Sequence, residues 1–175
     1  PAEGGDGDDD RTHVPTCHLR HRSRHRFVTR GQTARIVSGT MQGDGVARQL
    51  RARDASADAL GIELVEASPD HAVVRMVARR DMCNGYQLVH GGITFTLADT
   101  AMAFASCGGN ETALATSAEI DWVAPARAGQ VLTAVARLRW SGGRTSLWDI
   151  TVDADGEVVA IMRGRTRTVG GPVVG

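Results

Sequence analysis

Lysine is absent from this chain: all twenty basic side chains are arginine, and twenty carboxylates balance them, so the formal net charge is zero. No global field therefore draws the protein to nucleic acid or to an acidic membrane, and any anion it binds must be held locally, by arginine. Cysteine is scarce. Cys17, Cys83 and Cys107 are too few and too scattered for a disulfide framework or a zinc site. That usage suits a reducing compartment. No apolar run approaches the roughly 20 residues of a spanning helix, and the residues before Met41 include no apolar stretch resembling a secretion signal. The expectation is a soluble cytoplasmic protein with no nucleic-acid or membrane partner.

What is present supports one folded domain: 175 residues, 42% of them hydrophobic, suffice for a real core. Residues 1–40 differ from the rest. PAEGGDGDDD is acidic and glycine-rich, HLRHRSRHRFVTR is basic, and neither has a hydrophobic period. Cys17 with His18, His21 and His25 suggests a metal site only superficially, because ligand pairs need a scaffold that this composition does not build. A basic arm on nucleic acid is equally disfavoured, since the acidic block competes for the same arginines. Residues 1–40 are expected to be a disordered tail, with Met41 as the natural start, which N-terminal peptide mass spectrometry decides. Residues 41–170 form the domain and residues 171–175 a C-terminal tail.

Within the domain, Val46, Leu50 and Ala57 recur at helical spacing between Asp44, a candidate N-cap, and Gly61, a candidate left-handed stop. GIELVEA and HAVVRMVA flank the turn Ser68-Pro69-Asp70 and predict a hairpin. Residues 80–90 have no period and contain Asn84-Gly85, so they read as a loop leading into a helix over about Gly92 to Ser106. Four strands follow, ALATSAEIDWVA, VLTAVARLRW, TSLWDITVD and VVAIMRGRTRTV, joined by turn chemistry. Leu132, Ala134, Ala136, Leu138 and Trp140 alternate with Thr133, Arg137 and Arg139, one buried face against one polar face. One long helix against an antiparallel sheet is an α+β domain.

That helix is apolar nearly all round, yet it carries Asp99. At 100° per residue Asp99 shares a stripe with Gly92, Phe95, Ala103 and Ser106, while Ile93, Leu97 and Ala101 face elsewhere. A helix apolar on every side is buried, here by its own sheet and by a second subunit. An unpaired buried carboxylate costs several kcal/mol, so Asp99 either finds an arginine or backbone donors, or it raises its pKa. A raised pKa suits a general base or nucleophile. The approach favours chemistry: His90-Gly91-Gly92 places backbone N–H groups at a helix start, where free donors and the dipole favour an oxyanion. Gly91 and Asp99 are two turns apart, so a site using both joins Gly91 of one subunit to Asp99 of another.

Asn84-Gly85, His90-Gly91-Gly92, Leu97-Ala98-Asp99-Thr100-Ala101 and Ile120-Asp121-Trp122 with a nearby proline resemble the hotdog-fold acyl-CoA thioesterases of the phenylacetate-degradation (PaaI) type, over about Gly61 to Val169. The resemblance implies a long helix wrapped by a curved antiparallel sheet, paired as homodimers with sites across the interface and commonly doubled to homotetramers. It implies Asp99 as the catalytic acid and Gly91 as the residue whose N–H polarises the thioester carbonyl. By position it adds Asn84 as a polar loop residue of the site and His90 as a histidine orienting the turn. Thr116, or Ser117 beside it, falls where relatives hold the attacking water. The His90 imidazole is as well explained by local hydrogen bonds. Coenzyme A arrives as part of the substrate, so no resident cofactor or metal is implied. Its phosphates fall to arginines, Arg144 in the Gly142-Gly143-Arg144-Thr145 turn first and Arg127 and Arg163 after it, with Gly92 and Thr145 also contacting substrate. A hydratase is a competing reading, disfavoured because His90 and Asp99 are nine residues apart; so is a non-catalytic acyl-CoA binding module. Phe95, Met102, Met82, Tyr86 and Trp122 are candidates for an aromatic-sized acyl pocket, or equally for core.

Overall fold

The computed structural model describes residues 43–175, so the expectations for residues 1–40 and for Met41 lie outside the described residues. Helical backbone runs over 43–51 (α1) and again over Ala55–Leu60 (α2). The single helix expected from Asp44 to Leu60 is thus broken. Asp54 supplies the reason: its backbone is extended and its Oδ1 accepts from the Ala57 N–H at 2.9 Å, so it starts a new helix. Asp44, expected as the cap, instead accepts from Arg48 Nε one turn on. Gly61 does end α2 in the left-handed region, at φ 71°.

Six strands follow in one antiparallel sheet: β1 (Glu63–Ser68), β2 (His71–Val77), β3 (Ala113–Trp122), β4 (Val131–Gly142), β5 (Thr145–Ala154) and β6 (Glu157–Thr168). Their order is β1-β2-β4-β5-β6-β3, so β3, early in sequence, closes the far edge against β6. The long helix α3 (Gly91–Ser106) is cut into the chain between β2 and β3 and packs across all six strands. The long helix on an antiparallel sheet is the α+β domain that the pattern predicts, in the hotdog arrangement that the resemblance implies. Bulges at Leu64/Glu66, Ala115/Ser117, Leu138/Trp140 and Val152/Asp153 bend the sheet around the helix.

The inner face is lined by Val74, Met76, Leu132, Ile150, Val152 and Met162, all fully buried, against Leu97, Met102 and Phe104 of α3. Small residues opposite the helix let it approach: Ala72, Ala134, Ala136 and Ala160 are buried, and Gly164 leaves the space that Met102 Sδ fills. One expected member of this face is displaced. The bulge at Leu138/Trp140 shifts the alternation, and Trp140 emerges 55% exposed. The C-terminal end of α3 is equally tight: a Cβ on Gly108 would stand 2.8 Å from Ser68 O and 2.9 Å from Pro69 Cα. Because both neighbours belong to the backbone of the β1–β2 turn, Gly108→Ala is expected to destabilise the fold by about 1–3 kcal/mol, measured as a lower urea midpoint at unchanged slope.

Beyond β6, residues 171–175 have no regular structure but are tied down, with Gly171 O accepting from Thr112 N at 2.9 Å and Val174 paired through both backbone groups with the Asn110 side chain. Among the described residues no helix is long and apolar enough to cross a membrane.

Candidate active site

The loop before α3 is built to present the helix start. Cys83 and Val89 bridge as in an antiparallel pair, and Asn84 N donates to Leu88 O at 2.7 Å. Asn84 Oδ1 accepts from Tyr86 N at 2.9 Å and from Leu88 N at 3.3 Å, closing the turn, while Gln87 takes a positive φ of 60°. Asn84 therefore shapes the loop with its carbonyl oxygen and keeps its amide Nδ2 without a partner among the described residues. The base of the loop is closed by His90 N on Met82 O and docked by Val89 N on Ala126 O, each at 2.9 Å.

His90 is the N-cap of α3, one residue earlier than the sequence suggested. Its Nδ1 accepts from Gly92 N at 3.0 Å, and its carbonyl accepts from Ile93 N at 2.9 Å and Thr94 N at 3.4 Å. The Gly91 N–H has no acceptor among the described residues. It is the donor left open at the positive end of the helix, the arrangement that receives a carbonyl oxygen gaining negative charge.

Beside that donor lies a cavity of about 340 Å³. Asn84 and Leu88 of the loop, Gly91 and Thr94 of α3, Trp122 at the end of β3 and the 123–126 segment line it. Of the five residues considered for an acyl pocket only Trp122 is among them. Met82 and Met102 are buried in the core, Tyr86 is 85% exposed, and Phe95 packs partly buried against the core cluster, because helix phase and loop course direct them there.

Asp99 stands two turns along α3, about 12 Å from Gly91 by helical rise. The face of α3 away from the sheet is only half covered: Gly92, Phe95, Asp99, Ala103 and Ser106 form the stripe expected from the sequence, and Thr96 joins it. Among the described residues Asp99 has no hydrogen-bond or ion-pair partner. The threonines on its flanks are occupied, Thr96 Oγ1 donating to Gly92 O at 2.9 Å and Thr100 Oγ1 to Thr96 O at 2.8 Å. Partial burial without a compensating charge pushes its carboxyl above its ordinary value of 3.8. Of the two fates open to the acid, pairing within its own chain is the one that the described residues do not show.

The remaining candidates do not line the cavity, though Arg127 directly follows its 123–126 wall. Thr116 is the extra residue at the Ala115/Ser117 bulge, exposed, with Oγ1 on Arg165 O at 3.2 Å; Ser117 is exposed beside it. Arg144 sits in the β4–β5 turn after Gly143 (φ 59°), its Nε donating to Thr168 O at 2.8 Å, with Thr145 opening β5. In the sheet register Thr145 pairs with Arg167 and Arg167 with Leu114, whereas Trp122 pairs with Ala160. Eight residues of β3 separate the two levels, about 26 Å. Arg144 and the Gly91 cavity are therefore at opposite ends of one chain. Arg163 is engaged with Asp149 at 2.8 Å, and Arg127 is exposed in the turn before β4. No group of three metal-ligating side chains occurs among the described residues.

Comparison with known proteins places this arrangement. The thioesterase superfamily pattern matches residues 86–161, from the Asn84 loop through α3 to β6. Over 130 residues, covering 74% of this chain and 93% of the other, the sequence is 39% identical to the acyl-coenzyme A thioesterase PaaI of Escherichia coli. This chain belongs to the hotdog-fold acyl-CoA thioesterases of the PaaI type. Solved structures agree: the E. coli PaaI protein of the phenylacetic acid degradation operon superposes with a TM-score of 0.75 at 36% identity over 77% of this chain and 98% of that one. A variant of the phenylacetic acid degradation protein PaaI from Thermus thermophilus superposes with a TM-score of 0.64 at 31% identity, over 66% of this chain and all of that one.

The thioesterase's cavity contains two features that the sequence reading did not assign to the site. Thr94 is a buried polar residue on an otherwise apolar stretch, and its hydroxyl, unlike those of Thr96 and Thr100, has no hydrogen bond among the described residues. A threonine among apolar neighbours was a visible signal. The 123–126 wall was not, because only the meeting of β3's end with α3's start creates it.

Proposed function

We propose that this thioesterase hydrolyses aromatic, phenylacetyl-type acyl-CoA substrates. The observation that carries the reading is the pairing, on one helix, of an N–H without an acceptor at Gly91 and a half-buried carboxylate without a partner at Asp99. In this reading Gly91 N–H polarises the thioester carbonyl. Asp99 takes a proton from water, whose oxygen bonds to the carbonyl carbon; the C–S bond then breaks, and the thiolate of coenzyme A leaves and is protonated. A direct attack by the Asp99 carboxylate, followed by hydrolysis of the mixed anhydride, uses the same residues. No resident cofactor or metal enters either course.

Because Gly91 and Asp99 of one chain are about 12 Å apart by helical rise, the site joins two protomers. Two features support a homodimer: β3 is an edge strand, exposed along most of its length, and the half-covered stripe of α3 lies on the side away from the sheet. Pairing copies along β3 extends the sheet and covers that stripe, and two dimers make the homotetramer. In such an assembly Thr116 or Ser117 holds the attacking water and Asn84 completes the loop wall with His90 capping the turn. Gly92, Arg144 and Thr145 meet the coenzyme A moiety, whose charged end extends far from the acyl cavity. In this reading the enzyme works in the cytoplasm.

The cavity supports an aromatic acyl preference. At about 340 Å³ it is near the lower bound for ligand pockets, and one wall is an indole. Phenylacetyl-CoA and hydroxyphenylacetyl-CoA are expected to give kcat/KM at least about tenfold above a long saturated acyl-CoA, a difference of about 1.4 kcal/mol, in a thiol-release assay. A preference for the long chain would overturn the aromatic reading, and no turnover of any thioester would leave a binding module.

A further inference from the structure

The peptide joining Gly91 to Gly92 is gripped at both polar ends by ring side chains. Its N–H donates to His90 Nδ1 at 3.0 Å, and its carbonyl accepts from Trp122 Nε1 at 3.3 Å. The indole also presses on Gly91 itself: a Cβ there would stand 3.0 Å from Trp122 Cε2 and Nε1 and 3.2 Å from Cζ2. Trp122 in turn is held by β3, paired with Ala160, with Val123 N and Ala124 N next to it donating to Val159 O. Yet the ring is 55% exposed and lines the cavity. A large ring so little covered contributes modestly to the core, so its placement calls for another account.

Two consecutive glycines make the least constrained turn that a helix start can have, and first-turn peptides lack the hydrogen bonds that hold the rest of a helix. An oxyanion donor, by contrast, works only when held within about 0.5 Å of its productive position. We propose that Trp122 is the positioning residue of this site: its indole N–H and ring edge, opposite the His90 imidazole, fix the first turn of α3 so that the Gly91 N–H meets the thioester oxygen. The inference deepens the reading of Gly91 given above and rests on it. It also explains why position 91 is glycine, since any side chain there would push the clamp away.

Trp122→Phe, which keeps an aromatic wall and removes the N–H, separates positioning from packing. Kinetics on phenylacetyl-CoA are expected to show kcat lowered about tenfold with KM within about threefold, the pattern of an interaction that acts in the transition state. Gly91→Ala is expected to lower kcat strongly in the wild type but to add little in Trp122→Ala, because the clash it creates is with the ring already removed. Backbone amide NMR with a non-hydrolysable ketone analogue of phenylacetyl-CoA gives an independent readout, a Gly91 N–H shift on binding that is weakened in Trp122→Phe. Wild-type kcat and an unchanged Gly91 shift in Trp122→Phe would overturn the positioning role. An absent Gly91 shift in the wild type would instead overturn Gly91 as the donor.

Discussion

Asp99→Asn is expected to lower kcat on phenylacetyl-CoA by about 10²–10⁴-fold, the range for loss of a general base, with the fold intact. The substitution is nearly isosteric and leaves the half-covered stripe of α3 unchanged in shape. The wild-type rate should carry an acid limb lying above the ordinary carboxylate value of 3.8, because burial raises the Asp99 pKa and only the ionised form accepts the proton. The stability of the two proteins should move the opposite way. The raised pKa means that the native state holds this proton more tightly than the unfolded chain, so the Asp99 contribution to stability is fully present below pH 3.8 and is lost as pH rises through the raised native value. Asp99→Asn removes that decline. It should therefore melt above the wild type at neutral pH, with the gap closing in acid. A variant that is both inactive and less stable at neutral pH would mean that the carboxylate is paired, and so structural. Mixing Asp99→Asn protomers with Gly91→Ala protomers, each nearly inactive alone, should restore part of the activity if the site is shared between copies, and none if each chain builds its own.

Trp148→Ala is expected to cost about 3–5 kcal/mol, the loss typical of a large buried aromatic. Trp148 is 2% exposed on the inner face of β5, paired with Gly164 on β6 and Leu138 on β4. Its Nε1 donates to Thr166 Oγ1 at 2.9 Å, and Thr166 is itself buried. Removing the ring empties a volume that α3 cannot collapse into and strands the hydroxyl. Trp148→Phe refills most of the space but still leaves Thr166 without its donor, at about 1–3 kcal/mol. The double change Trp148→Phe with Thr166→Val removes both polar partners and should recover part of that loss. Denaturant unfolding of the three variants at constant slope tests the sequence of effects, and a Trp148→Phe protein as stable as the wild type would show that the hydrogen bond contributes nothing net.

The contrast between Trp148 and the other two tryptophans shows what was legible in the chain and what was not. Alternation marks all three as strand residues, but a bulge at Leu138/Trp140 turns Trp140 to solvent, and the end of β3 sets Trp122 over a helix start thirty-one residues away. A bulge is an added residue with no signature in a period-two pattern, and a contact at that separation depends on where β3 docks.

The chain by itself determined most of the elements and the open donors at the start of α3. Periodicity predicts the strands and the long helix because inward and outward positions alternate locally. His90-Gly91-Gly92 predicts free backbone donors at a helix start because first-turn N–H groups lack intrahelical partners whatever the rest of the fold does. The lone acid was equally visible, since one carboxylate on an apolar helix stands out in composition alone. Tertiary structure decided the rest: the placement of β3 beside β6, the cavity between Trp122 and Asn84, and the distance between Arg144 and Gly91. Each depends on strand order and register, which are fixed by the packing of distant faces around α3 and by no neighbouring residues in the sequence.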